Sequence, residues 1–198
     1  MFSKGYALSL IAIEGIDRSG KRTHSMVLLE RLRRMGRRVE YVTFPDYKTP
    51  LGKEIKKFLR GRIKFRPEVR QLLYVANRWE RANDICSWLK EGKIVIADRY
   101  IPSGIAYGSA NNLELEWMLK IEKGLPVTDV VIVIDIPVDT AHKRERAKDL
   151  YEADELFQER VRRAYLNLAE QFGWEVIDGK GSINEIAENI WRHISKIV

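Results

Sequence analysis

The sequence predicts an α/β fold, a doubly wound five-stranded parallel sheet flanked by helices, from three observations. Apolar, β-branched runs of strand length recur at Leu8–Ile13, Val39–Phe44, Ile94–Ala97, Val130–Ile134 and Trp174–Ile177, and stretches of helical periodicity separate them. The runs at Ile94 and Val130 are apolar without alternation, as befits central parallel strands covered on both faces. With 198 residues, 45% of them hydrophobic, residues 1–198 are expected to form one domain.

After the first run, Leu28, Leu32 and Met35 share a helix face, and Gly36 stands where that helix would stop. Another long helix is expected from Pro67, a residue suited to the first helical position, through Trp79 and Trp88 to Gly92. Trp79, Trp88 and Trp117 read as core or interface residues. The single cysteine, Cys86, lies beside Ile85 and Trp88 and reads as a packed thiol. Met1–Tyr6 lacks the apolar stretch of a secretory signal, and no run of about 18 apolar residues follows, so a cytoplasmic location and no membrane partner are expected.

A net charge of +7 suits a nucleic-acid binder or an enzyme that handles anionic small molecules. Arg31, Arg33, Arg34, Arg37 and Arg38 gather at the end of the first helix, where cations suit the negative helix terminus. The remaining excess is scattered among phosphate-type motifs, so no nucleic-acid partner is expected. His24, His142 and His193 have charged neighbours and no ligand-like spacing, and read as surface histidines.

The first motif is Gly15-Ile16-Asp17-Arg18-Ser19-Gly20-Lys21-Arg22-Thr23, directly after a strand and opening a helix, the context of a Walker A phosphate loop. Glycines let successive backbone N–H groups and the helix N-terminus surround a phosphate, while Lys21 supplies a mobile positive charge. Ser19, Gly20, Arg22 and Thr23 complete the candidate ATP contacts. One departure concerns Mg²⁺: the position after the lysine, normally Ser or Thr, is Arg22, which cannot coordinate a cation. Thr23 or water fills the place, or carboxylates and phosphate oxygens hold the metal; the second is preferred, since neighbouring helix residues point about 100° apart.

The third strand runs into Asp98-Arg99-Tyr100, which brings a carboxylate and a guanidinium to the carboxyl edge of the sheet, where open α/β sheets bind ligands. Asp98 can hold Mg²⁺, and Arg99 can grip a phosphate bidentately. Phe44-Pro45 ends the second strand at the same edge. Tyr74 and Arg78 lie one helical turn apart, able to stack on a base and bond its edge.

These residues resemble the thymidylate kinases, a family of P-loop nucleoside monophosphate kinases. The resemblance spans nearly the whole chain: Asp17-Arg18 in the loop, Phe44-Pro45, Leu73-Tyr74-Val75-Ala76-Asn77-Arg78-Trp79-Glu80, Asp98-Arg99-Tyr100 with Ser103-Gly104, Gly124-Leu125-Pro126, and Tyr151-Glu152 with Phe157-Gln158. It implies a P-loop nucleotide kinase fold with a short lid at about residues 143–155, and transfer from ATP to dTMP with Mg²⁺. Carried over by position, Asp17 approaches the sugar 3′-hydroxyl, Arg99 the acceptor phosphate, Arg78 the thymine O4 and Tyr74 the base plane. Phe44, Pro45 and Leu59 wall the base, Ser103 and Gly104 join the acceptor site, Tyr107 crowds the 2′ position and Tyr151 closes over the nucleotide. Arg18 acts as an internal arginine finger. Arg144 belongs by the adenine or its phosphates, Lys180 and Gly181 by the adenine, and Asp98, with Asp17 second, by the metal. The family often has an arginine after the Phe-Pro turn; here Asp46-Tyr47-Lys48 stands there, and Lys48 is the expected substitute. Arg146 and Lys148 read as solvated lid charges.

The resemblance also implies a homodimer through the 67–90 helix. Two competitors remain: a kinase of another nucleoside monophosphate such as dUMP or UMP, and a nucleotide-dependent nucleic-acid-binding protein.

Overall fold

The computed structural model describes residues 10–144 and 149–196. Leu8, Ser9, Met1–Tyr6, Arg146 and Lys148, all carrying expectations above, lie outside them. Among the described residues, strands β1 (Leu10–Glu14), β2 (Val39–Thr43), β3 (Ile94–Asp98), β4 (Val130–Asp135) and β5 (Glu175–Asp178) form one sheet. Every pairing is parallel, in the order β2-β3-β1-β4-β5. β1 is central, and the order reverses around it, which opens a crevice at the carboxyl ends of β1 and β3. Strands β1, β3 and β4 each end in a carboxylate, Glu14, Asp98 and Asp135.

The absence of alternation is explained by burial on both faces. On one face Ile11, Ile13, Ile96, Ile132 and Ile134 meet Leu28, Leu29 and Leu32 of α1 (Lys21–Arg34) and Ile186, Ile190 and Ile194 of α9 (Ile183–Ile194). On the other, Leu10, Ala12, Val95, Ala97, Val131 and Val133 meet residues of α3 (Pro67–Lys90), α4 (Ile101–Ala110), α5 (Leu115–Glu122) and α8 (Glu155–Phe172). Each fully buried isoleucine or leucine contributes about 1.5–3 kcal/mol relative to exposure. The shorter helices are α2 (Pro50–Leu59), α6 (Val138–Arg144) and α7 (Leu150–Ala153).

Pro67 opens α3 at its first turn, and Gly36 adopts φ 77° after α1, where the Arg37 amide reaches back 3.0 Å to the Leu32 carbonyl. The basic run ending α1 is structural in part: Arg31 pairs with Glu188 at 2.6 Å and covers the Trp191 ring, and Arg33 donates to the Val39 carbonyl. Trp79 is half exposed and lies against Gly124, while Trp88 and Trp117 pack partly buried against the core.

One expectation is corrected. His24 is buried, not a surface residue. It stands one turn before Leu28 and two before Leu32, on the stripe that α1 turns to the sheet, and its ring lies under Gly20. Burial, reinforced by the Arg144 charge, holds its imidazole below its ordinary pKa.

Candidate active site

The loop between β1 and α1 is shaped by its glycines. A Cβ on Gly15, at φ 135°, would sit 2.5 Å from the Ile134 carbonyl oxygen, and Gly20 turns into α1 at φ 96°. Arg18 adopts φ 64° and Arg99 φ 66°. Left-handed backbone costs a non-glycine residue about 1–2 kcal/mol, so surrounding contacts fix both arginines.

Lys21 is buried, and its ammonium donates 2.6 Å to the Ile16 carbonyl. Burial, then the Arg99 charge, pull it down to about 8. Arg22 and Thr23 are exposed on the first turn of α1. Arg18 reaches the other way: Nη2 donates 2.6 Å to the Glu152 carbonyl of α7, and Nε lies 3.8 Å from the Glu152 carboxylate. Arg144 bridges the Ser19 carbonyl at 3.3 Å and the Gly179 carbonyl at 2.7 Å, which ties α6 to the phosphate loop and to the turn carrying Lys180 and Gly181.

Between loop and helices, Arg99 and Asp17 form the centre of a network. Arg99 Nη2 donates to Asp17 Oδ1 and to the Tyr107 hydroxyl at 3.2 Å, while Nη1 donates to the Gly15 carbonyl and the Ser103 hydroxyl, both at 3.1 Å. Asp17 Oδ2 accepts from the Tyr107 hydroxyl at 2.8 Å and from Gln158 Nε2 at 3.0 Å. Burial pushes the Asp17 carboxyl up, but the Arg99 and Lys21 charges outweigh it and hold the group below its ordinary range. Beneath lies Glu14, fully buried, whose carboxylate accepts from the Tyr100 amide (2.8 Å), the Ser103 hydroxyl (2.5 Å) and the Tyr165 hydroxyl (2.8 Å). Asp98 is buried beside them, with one oxygen taken by the Tyr41 hydroxyl at 3.1 Å.

A cavity opens from this network. It collects all eleven acceptor residues expected from the sequence: Asp17, Phe44, Pro45, Leu59, Tyr74, Arg78, Arg99, Ser103, Gly104, Tyr107 and Tyr151. Tyr47, Asn77, Tyr100 and Asp149 line it as well. The Phe44–Pro45 peptide is cis. Arg78 is buried in an ion pair with Glu122 of α5, with Nε and Nη2 both donating to the carboxylate. Nη1 has no part in that pair. Asp149 caps α7 by accepting from the Tyr151 and Glu152 amides, and burial lifts its carboxyl to about 6 against their pull.

Lys48, the expected substitute for an arginine after the Phe-Pro turn, is exposed and outside the cavity. Asp46 is the reason. Its buried carboxylate takes Arg81 at 2.7 Å and the Lys48 amide at 3.0 Å, and its own amide donates to Asn77, which pins the turn and leaves the Lys48 side chain in solvent.

Sequence reasoning missed Glu14, Glu122, Tyr165 and the role of Gln158. For Glu14 a signal existed: a carboxylate ends an otherwise apolar buried strand. Glu122 gave none, since it acts on a residue far away in the chain; Gln158 stood in a motif, but its partner Asp17 is far away as well.

The sequence model of the thymidylate kinase family matches residues 13–190. The chain belongs to the thymidylate kinase family. Within it, the chain is 36% identical to the thymidylate kinase of Plasmodium falciparum over 189 residues, 94% of this chain and 90% of that one. Against human thymidylate kinase the identity is 34%, over 92% and 87% of the two chains. A solved thymidylate kinase from Candida albicans, whose structure is described as revealing the origin of its broad substrate specificity, superposes with a TM-score of 0.87 at 29% identity. It covers 98% of this chain and 93% of that one. The α/β architecture with its phosphate loop is thus the nucleotide kinase fold of the thymidylate kinases.

Proposed function

We propose that this chain transfers the γ-phosphoryl group of ATP to the phosphate of dTMP, giving dTDP and ADP. The observation that carries this reading is the Asp17–Arg99 pair, which joins a phosphate loop on one side to an aromatic cavity on the other. On the donor side the loop amides from Gly15 to Gly20, with Lys21, hold the β- and γ-phosphates, and Arg144, Lys180 and Gly181 border the nucleotide. On the acceptor side Arg99 grips the phosphate, Asp17 meets the sugar 3′-hydroxyl, and Tyr74, Phe44, Pro45 and Leu59 sandwich the base. Arg78 presents Nη1 as a donor, which suits the 4-carbonyl of thymine or uracil and not the amino group of cytosine. Tyr107 crowds the 2′ position. Arg18 neutralises charge on the transferred group, and catalysis is positioning and electrostatics without covalent chemistry.

Mg²⁺ fits one carboxylate here. Both Asp17 oxygens are engaged, whereas Asp98 has an oxygen beyond the one that Tyr41 takes. Among the described residues no cluster of three His, Cys, Asp or Glu could hold a metal ion. Mg²⁺ characteristically binds one or two carboxylates together with substrate phosphates and keeps several waters, so Asp98 with the ATP phosphates would hold it, supplying charge neutralisation.

The chain is read as one kinase unit over residues 1–198 with a lid at about 143–155, cytoplasmic, and homodimeric through α3. Val69, Leu72 and Trp79 are exposed along that helix and support the dimer. Among the described residues no helix is long and apolar enough to cross a membrane.

ADP formation with ATP and Mg²⁺, measured against dTMP, dUMP, UMP, dCMP, AMP and GMP, tests the reading. Turnover led by dTMP is expected; turnover led by UMP or a purine nucleotide would overturn the acceptor assignment. The competing acceptors, dUMP and UMP, are measured in the same panel.

A further inference from the structure

Along α3, Arg70, Tyr74 and Arg78 recur every four residues and share one face. The two arginines are treated differently. Arg78 is neutralised by Glu122. Among the described residues, no carboxylate pairs with Arg70 in a salt bridge. Its Nη1 donates 2.8 Å to the Tyr151 hydroxyl of α7, Nη2 donates 3.0 Å to Asn111 Oδ1 at the end of α4, and the guanidinium faces the rings of Phe58 and Tyr151 at 5.3 and 5.8 Å. Its Nε is buried without a hydrogen-bond partner. A cation is thus held between aromatic faces and neutral oxygens, and one of its donors is left unsatisfied.

Tyr151 is what that arrangement fixes. Its ring stacks on Phe157 at 4.7 Å and packs on Phe58 and Tyr107, both at 5.7 Å. Tyr107 in turn bonds Asp17 and Arg99. A line of contacts therefore runs from Arg70 through Tyr151 and Tyr107 to the pair at the acceptor phosphate.

We propose that Arg70 is a positioning residue for the acceptor: it sets the plane of Tyr151 over the cavity and, through Tyr107, the geometry of the Asp17–Arg99 pair. The inference rests on the acceptor-site reading above, and it does not require the acceptor to be dTMP. Arg70 does not line the cavity and acts on it through Tyr151, so its loss is expected to raise the acceptor KM and leave the ATP KM in place. A looser roof also admits water, so some ATP is hydrolysed without forming product.

The test is a double-mutant cycle with Arg70→Met and Tyr151→Phe, using whichever monophosphate the wild-type enzyme turns over best, so that a wrong acceptor assignment shows in the wild-type panel and not in the cycle. Arg70→Met is expected to raise the acceptor KM by roughly tenfold or more, the scale of one charge-assisted hydrogen bond, with the ATP KM unchanged and ADP formed in excess of the diphosphate product. Adding Tyr151→Phe to Arg70→Met should change little further. Hydrogen exchange of the α7 amides, measured without nucleotide, should rise in both single variants. Additive effects in the cycle would overturn the proposal, as would a fall in melting temperature with unchanged acceptor KM and unchanged α7 exchange.

Discussion

The phosphate loop and the acceptor cavity meet at Asp17, yet they are built in opposite ways. The loop is a run of neighbours whose shape follows from glycine backbone angles and from the start of α1. The cavity draws on the turns after β2 and β3 and on α2, α3, α4 and α7, and its polar pairs are remote in sequence: Arg78 with Glu122, Asp17 with Gln158. A locally determined site survives small changes in packing, whereas a convergent one is only as precise as the helices that carry it. On the reading proposed above, binding of the phosphate donor belongs to the first and acceptor choice to the second.

The largest expected effect separates the two cleanly. Lys21→Met should lower kcat by about a thousandfold or more, the scale of a lost phosphate-stabilising cation, while dTMP binding measured by calorimetry stays within a few fold. Loss of dTMP binding in that variant would show that the regions are not separable. Next comes the converse. Glu122→Ala leaves Arg78 buried without its partner and should cost about 3–5 kcal/mol of stability, read in urea unfolding. Arg78→Met with Glu122→Leu should recover much of that stability and erase the preference for thymine and uracil over cytosine. If the double variant kept the preference, base choice would lie elsewhere in the cavity.

A titration gives a smaller signal. In the free protein burial pulls Lys21 from 10.5 to about 8, so part of the population is neutral above that pH. A bound polyphosphate favours the ammonium and moves it back up. ATP binding should therefore take up protons between about pH 8 and 10 and almost none near pH 6.5. Calorimetry in two buffers of different ionisation enthalpy measures this. The signal should vanish in Lys21→Met; uptake that persists there would belong to another group.

The same division governs what the sequence disclosed. β1 and its loop were legible because an apolar run, a glycine spacing and a helix start are local facts. The eleven expected acceptor residues, which line one cavity, were named through motifs and the family resemblance. The roles of Glu14, Gln158 and Glu122 were not legible, because what each does depends on which residue folding brings opposite it. His24 was misjudged from its charged neighbours in sequence, although its place one turn before Leu28 on the α1 stripe pointed inward. Lys48 was misjudged for the related reason that a nearby charge says nothing about which side chain the turn buries, and here the turn buries Asp46.

The smallest effect probes the place where loop and metal meet. Arg22 occupies the position from which a hydroxyl would reach Mg²⁺, and its charge is felt at the Tyr41 hydroxyl that bonds Asp98. If Asp98 is the protein's contribution to the metal, Arg22 both withholds an oxygen ligand and adds a repelling charge. Arg22→Ala removes only the repulsion; Arg22→Ser removes it and supplies the oxygen. The Mg²⁺ concentration for half-maximal activity, followed at fixed ATP, should fall a few fold in Arg22→Ala and further in Arg22→Ser. Equal falls would mean that the serine hydroxyl does not reach the metal, leaving charge as the whole effect. No fall in either variant would place the metal away from this edge of the sheet and remove Asp98 as its ligand.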